Sequence, residues 1–195
     1  MGLDYSYEIY LPPQNIGTAL VAYSALAPPR DTPRPLELLL PGGERLDVPF
    51  TSRFKSDPVD RSEGGEFELD TTVMIGMDDH VRDFFDDGCH REYDEHGRLP
   101  LGYVYLSVDF ASGLHPLYAS MRFTAATTGM SLLFERSAAI RSLFTGLTAA
   151  VGGVCCLLDN ETHVYELYSL NGEEITDSVP GSRFLDRNEL AAAWS

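Results

Sequence analysis

Residues 5–11 alternate in polarity and are rich in tyrosine and isoleucine, which predicts a strand. Pro12-Pro13 stop it, and Asn15 then stands where a side-chain oxygen caps a helix. Ile16, Leu20, Tyr23 and Ala27 recur at helical spacing on one face, and Pro28-Pro29 end that helix. Two apolar stretches, 36–40 and 45–50, flank Pro41-Gly42-Gly43-Glu44. That is a hairpin signal, because glycine supplies the positive φ of a tight turn. Residues 55–65 are polar and predict a loop. After it Phe67, Leu69, Thr71 and Val73 alternate with Glu66, Glu68, Asp70 and Thr72, as in a half-buried strand with a charged outer face.

The second half repeats this kind of order. Strands are predicted over 103–110 and 118–126. Ser131 stands as the N-cap of one helix over 131–150, whose stripe is Leu133, Ile140, Phe144, Leu147 and Val151. Gly152-Gly153 end it, and residues 154–158 form an apolar strand. A strand over 162–170 follows, then Asn171-Gly172, a type I′ hairpin signal, and a further strand over 173–178. Pro180-Gly181 suits a type II turn. Asp186 and Glu189 have capping-box spacing, bracketed by the staple pair Leu185 and Leu190. They open a short terminal helix with Leu190 and Trp194 on its apolar face.

This order predicts an α+β fold: antiparallel or mixed sheet covered by two main helices plus a short C-terminal helix. Tandem β-α-β-β-β modules are one arrangement of it. The chain reads as a single domain over 1–195, with pseudo-repeat halves at 1–76 and 118–180 and an acidic insert at 77–98.

Charge changes this picture more than composition does. Lys and Arg number 14 against 30 Asp and Glu, a net charge of −16 at pH 7. Such a balance argues against nucleic acid or an anionic membrane as partner, since both attract positive charge. Lys55 is the only lysine. The longest apolar run, residues 149–158, is far short of the roughly 20 residues of a membrane-spanning helix, and no secretory signal opens the chain. Cys89, Cys155 and Cys156 are too few for a disulfide framework, so a reduced, cytoplasmic protein is expected.

Common catalytic motifs are missing: G-x-G-x-x-G, a P-loop, H-E-x-x-H, G-x-S-x-G and C-x-x-C. The most biased stretch is 78–97, with eight acids against Arg82 and Arg91, and with His80, His90, His96 and Cys89 among them. Carboxylates and imidazoles brought together hold a divalent cation, and Asp86, Asp87, His90 and His96 are the first ligand candidates. With Asp94 they also read as a partner-contacting surface, or as a solvated acidic loop, which is the usual state of a charge run. Adjacent Cys155 and Cys156 in a strand point to opposite faces, which predicts packing rather than redox chemistry. His115 and His163 show no nucleophile or orienting carboxylate nearby in sequence. The strand aromatics, Tyr5, Tyr7, Tyr103, Tyr105 and Phe110, are expected chiefly in the core.

The opening Gly2-Leu3-Asp4-Tyr5-Ser6-Tyr7-Glu8-Ile9 resembles that of a group of small actinobacterial proteins with no assigned function. So does the stretch from Leu133-Phe134-Glu135-Arg136-Ser137 through Gly152-Gly153-Val154-Cys155-Cys156. The resemblance implies no catalytic or binding residues. Three function classes stay open. The first is a non-catalytic acidic binding or regulatory protein, immunity-type or similar, that holds a basic protein partner. The second is a small-ligand module on tandem sheet-helix units, and the third a metal-assisted enzyme using the acidic segment. The sequence calls for no cofactor and leaves the oligomeric state open.

Overall fold

Strand β1 (Ser6–Leu11) presents Tyr7, Ile9 and Leu11 to one face and Ser6, Glu8 and Tyr10 to the other, and all six side chains are buried. A strand buried on both faces belongs inside a sheet. The computed structural model describes residues 2–29, 34–85, 93–161, 165–175 and 186–195. Within them follow α1 (Ile16–Ser24), β2 (Leu36–Leu39), β3 (Arg45–Val48), β4 (Val59–Asp60), β5 (Glu66–Ile75) and α2 (Asp79–Phe85). Then come β6 (Leu99–Asp109), β7 (Ala119–Ala125), α3 (Thr128–Arg136), α4 (Ala138–Ala150), β8 (Cys155–Asp159), β9 (Tyr165–Leu170), β10 (Glu173–Glu174) and α5 (Arg187–Ala192). The fold is α+β.

Seven strands form one antiparallel sheet in the order β10-β9-β8-β1-β7-β6-β5. Its inner face carries the main core. Tyr7 stacks on Phe144 of α4 with centroids 4.4 Å apart, Phe123 of β7 lies 4.9 Å from Phe144, and Ile140 and Leu147 share that helix face. Buried hydroxyls are paired: Tyr7 donates to the Phe134 carbonyl at 3.1 Å, and the Tyr23 and Thr71 hydroxyls meet at 2.9 Å. A small mixed sheet, β3-β2-β4, adds Leu36, Leu38 and Val48 to this core. The β2–β3 hairpin turns at Gly42 and Gly43, whose φ values of 80° and 81° require glycine.

Four local expectations change. The helix over 131–150 is two helices, broken at Ser137 (φ −78°, ψ 119°). Ser137 Oγ accepts the Ile140 N–H at 3.1 Å and donates to Asp78 Oδ2 at 2.7 Å, so serine acts as the cap of α4 rather than as a mid-helix residue. Thr127, not Ser131, caps α3. Asn15 flanks α1 without capping it; its Nδ2 donates to the Val151 carbonyl at 2.9 Å and ties the start of α1 to the end of α4. Residues 55–65 are not wholly loop, since β4 runs parallel to β2 within them. Among the described residues no helix is long and apolar enough to cross a membrane.

Candidate functional site

The outer face of the large sheet divides in two. Its register aligns Leu157, Glu8, Arg122, Ser107 and Glu68 in one row across β8, β1, β7, β6 and β5. At the β8–β9 end, α5 covers Tyr10, Cys155, Leu157, Tyr165 and Leu167 with Leu190 and Trp194. Asp186 caps α5 by accepting the Asn188 and Glu189 N–H groups. At the edge of this cover Glu8, 1% exposed, accepts Arg122 Nε at 3.0 Å, Arg187 Nη1 at 2.8 Å and the Tyr10 hydroxyl. Arg187 Nη2 also donates to Asp159 Oδ2. Burial works against the Arg187 charge, but Glu8 and Asp159 outweigh it and raise its pKa. Burial, reinforced by Glu8, raises the Tyr10 pKa as well. This cluster fastens α5 to the sheet.

Beyond it, among the described residues, β5, β6 and β7 carry no helix on their outer face. The positions pointing outward are Glu66, Glu68 and Asp70; Tyr103, Tyr105, Ser107 and Asp109; and Ser120, Arg122 and Thr124. Arg122 is the one cation among them, and Glu8 holds its guanidinium. Tyr103 and Tyr105 are 52% and 39% exposed, contrary to the expectation that strand aromatics would be core. A third aromatic joins them. Phe54, 64% exposed, meets Tyr103 edge-on with centroids 5.8 Å apart.

Phe54 is held there by a constrained backbone. Ser52 and Lys55 exchange main-chain hydrogen bonds at 2.9 and 3.0 Å around a two-residue turn. Arg53 and Phe54 within it have φ of 52° and 59°. Non-glycine residues in this region cost on the order of 1–3 kcal/mol each and persist only where surroundings enforce them. The enforcing group is Asp70, buried at 7% exposure, whose Oδ2 accepts the Phe54 N–H at 2.6 Å and the Thr51 hydroxyl at 3.2 Å. The expected charged outer face of β5 therefore holds for Glu66 and Glu68, whereas Asp70, on the same face, is buried under the turn it holds.

Beside this turn lies an open groove of about 750 Å³, bounded by residues 52, 53, 55 and 57–61 and by Glu66, Phe67 and Glu68. Its charged walls are Arg53, Lys55, Asp57, Asp60, Arg61, Glu66 and Glu68. Arg61 Nε donates to the Glu66 carbonyl at 2.9 Å and its Nη1 to the Asp60 carbonyl at 2.7 Å. The Ser62 N–H and hydroxyl hold the Asp60 carboxyl below its ordinary pKa.

The residues singled out from the sequence lie elsewhere. Asp86, Asp87 and His90 lie outside the described residues, as does His163. Asp94 organises the turn before β6. Its Oδ1 accepts the His96 and Arg98 N–H groups at 2.9 and 2.8 Å, and its Oδ2 accepts Arg98 Nε at 2.7 Å. Desolvation works against its charge, yet these bonds win and lower its pKa. His96 is exposed, with Nε2 3.6 Å from Glu95 Oε1. Asp94 and His96 thus share a turn but not a ligand set, and among the described residues no three His, Cys, Asp or Glu side chains gather as a metal site. The expected solvated stretch includes α2, whose first turn is fastened by Asp78. His115 Nδ1 accepts the Leu117 N–H at 3.2 Å and its ring lies by Trp194. Cys155 and Cys156 are free, buried and on opposite faces, as the strand geometry predicted.

Comparison with protein-family models, with curated proteins and with solved structures finds no match for this chain.

Proposed function

We propose that the protein is a non-catalytic binding protein that holds a basic protein partner on the open face of β5–β7. The observation that carries this reading is the conjunction of exposed Phe54, Tyr103 and Tyr105 with Glu66 and Glu68, which form no ion pair among the described residues. Clustered exposed aromatics mark association surfaces, and aromatic faces with nearby carboxylates suit arginine and lysine side chains. The net charge of −16 steers a cationic partner toward this surface at low salt.

Three strands at roughly 4.8 Å spacing and about seven residues long offer on the order of 350 Å², less than half the roughly 800 Å² per partner of a standard interface. The adjoining turn and groove extend the face, so the partner covers them too. The free thiols of Cys155 and Cys156 suit a reducing cytoplasm, where we place this binding.

The test is paired capture from source cells at low salt with the wild-type protein and a Tyr103→Ser/Tyr105→Ser variant. A stoichiometric basic protein retained by the wild type alone, and eluted by salt, supports the reading. Equal retention by both proteins contradicts it.

A further inference from the structure

The outer edge of β5 is only partly occupied. Asp70 exchanges both main-chain hydrogen bonds with Thr51, donating at 2.7 Å and accepting at 3.3 Å. Main-chain groups of an antiparallel strand alternate between its two sides, and no register shift interrupts residues 66–71. Glu66 and Glu68 therefore turn their N–H and C=O groups to the same outer side as Asp70. The Glu66 carbonyl accepts Arg61 Nε. The Glu68 N–H and C=O have no partner among the described residues.

Thr51 is thus the first residue of an additional strand that the Arg53–Phe54 turn carries away after one pair. The slot it leaves, between Thr51 and the Arg61 guanidinium, opens into the groove. The far wall is β4, the edge of the small sheet. The groove's seven charged side chains form no ion pair with one another among the described residues, and they carry one more acid than base.

We infer that this slot takes an extended segment of the partner, added as a short strand on β5 with a lysine or arginine opposite Glu68. The basic character of that segment rests on the reading given under Proposed function; the slot itself rests on the unpaired edge. A residue directly opposite Glu68 exchanges both main-chain hydrogen bonds with it and projects its side chain on the same face. An opposite charge is favoured there, and a like charge is not. A second copy of this chain adding at the same edge would set Glu66 and Glu68 against themselves, which disfavours self-pairing. Strand addition of this kind draws affinity from the main chain and selectivity from the side chains.

The probe is the peptide acetyl-Thr-Val-Arg-Val-Thr-amide, titrated into the nitrogen-15-labelled full chain and followed by NMR. A second peptide, N-methylated at the arginine, lacks the N–H that would meet the Glu68 carbonyl. The Glu68 amide resonance should shift downfield and saturate, and the N-methylated peptide should bind at least about fivefold more weakly, as for one lost hydrogen bond. Glu68→Pro removes the outward N–H at an edge position that tolerates proline, and should weaken binding to the same degree. Glu68→Gln keeps the N–H and should lose mainly the salt dependence. An unmoved Glu68 amide, or equal binding of both peptides, overturns the inference. The Tyr103 and Tyr105 amides report the open face separately. Shifts there without Glu68 overturn strand addition and leave the open-face reading standing, whereas shifts at Glu68 without them support the slot and count against that reading.

Discussion

Arg187 of the terminal helix reaches Glu8, at the centre of β1, with Nη1 2.8 Å from Oε2. The two residues are 179 positions apart, so this contact joins the ends of the described chain. Six residues are too few for a helix to persist alone. α5 stays folded because Leu190 and Trp194 pack on the outer face and Arg187 neutralises Glu8 and Asp159. Arg187→Met should cost about 3 kcal/mol in urea unfolding, the low end for breaking a buried pair, because Arg122 still faces Glu8. Trp194 is the only tryptophan and packs against Tyr10, so its emission should report the loosening of α5. Unchanged stability and emission would remove the ion pair from this account.

The inner face has its own test. Phe144 is 1% exposed and touches the rings of Tyr7, Phe123 and Phe134. Phe144→Ala should cost roughly 3–5 kcal/mol. A melting temperature equal to that of the wild type would contradict the packing of α4 on the sheet.

Asp78 carries two helix starts. Its Oδ1 accepts the Val81 N–H of α2, and its Oδ2 accepts the Ala139 N–H and the Ser137 hydroxyl at α4. Partial burial works against its charge, but these donors prevail and its pKa is lowered. A lowered carboxylate pKa gives stability that is complete above the unfolded value and lost as pH falls through the folded one. Asp78→Ala should therefore cost about 1–2 kcal/mol at neutral pH, by the usual worth of helix caps. That deficit should hold down to roughly pH 4, the ordinary carboxylate value, and close at lower pH. A deficit that stays constant in acid would assign the effect to packing instead.

Burial pushes the Cys156 thiol up to about 12, and Cys155 is raised by burial and by its neighbour. At pH 8 both should be un-ionised and unreactive. In a Cys89→Ser background neither thiol should react with an aromatic disulfide reagent under native conditions, and two equivalents should react after denaturation. Fast native reaction would show that β8 is not covered on both faces.

Periodicity carried the strands and the α4 stripe because each is local in sequence. Ile140, Phe144 and Leu147 could be placed in the core from spacing alone. The break at Ser137 was not legible from periodicity, because the apolar stripe runs on through it; Ser137 caps α4 through the Ile140 N–H and is held by Asp78, 59 positions away. The Arg53–Phe54 turn contains neither glycine nor asparagine, so no turn residue announces it; the buried Asp70 carboxylate imposes it from another strand. Glu8 looked like an ordinary outward residue of an alternating strand until α5 brought Arg187 over it. The aromatic face could not be read because Tyr5 and Tyr103 have the same local pattern. Only the sheet's partners decide which of them is covered.

The central claim is that Tyr103 and Tyr105, beside Glu66 and Glu68, form the partner-binding face. The most direct measurement is the dissociation constant of the captured partner for the wild type and for Tyr103→Ser/Tyr105→Ser, by calorimetry over a series of salt concentrations. Exposed substitutions should leave the melting temperature within error, while affinity falls at least about tenfold, as for aromatic anchors at an interface. Wild-type affinity should also fall steadily as salt screens the acidic face. An unchanged dissociation constant in the variant, or a wild-type affinity indifferent to salt, would contradict the account.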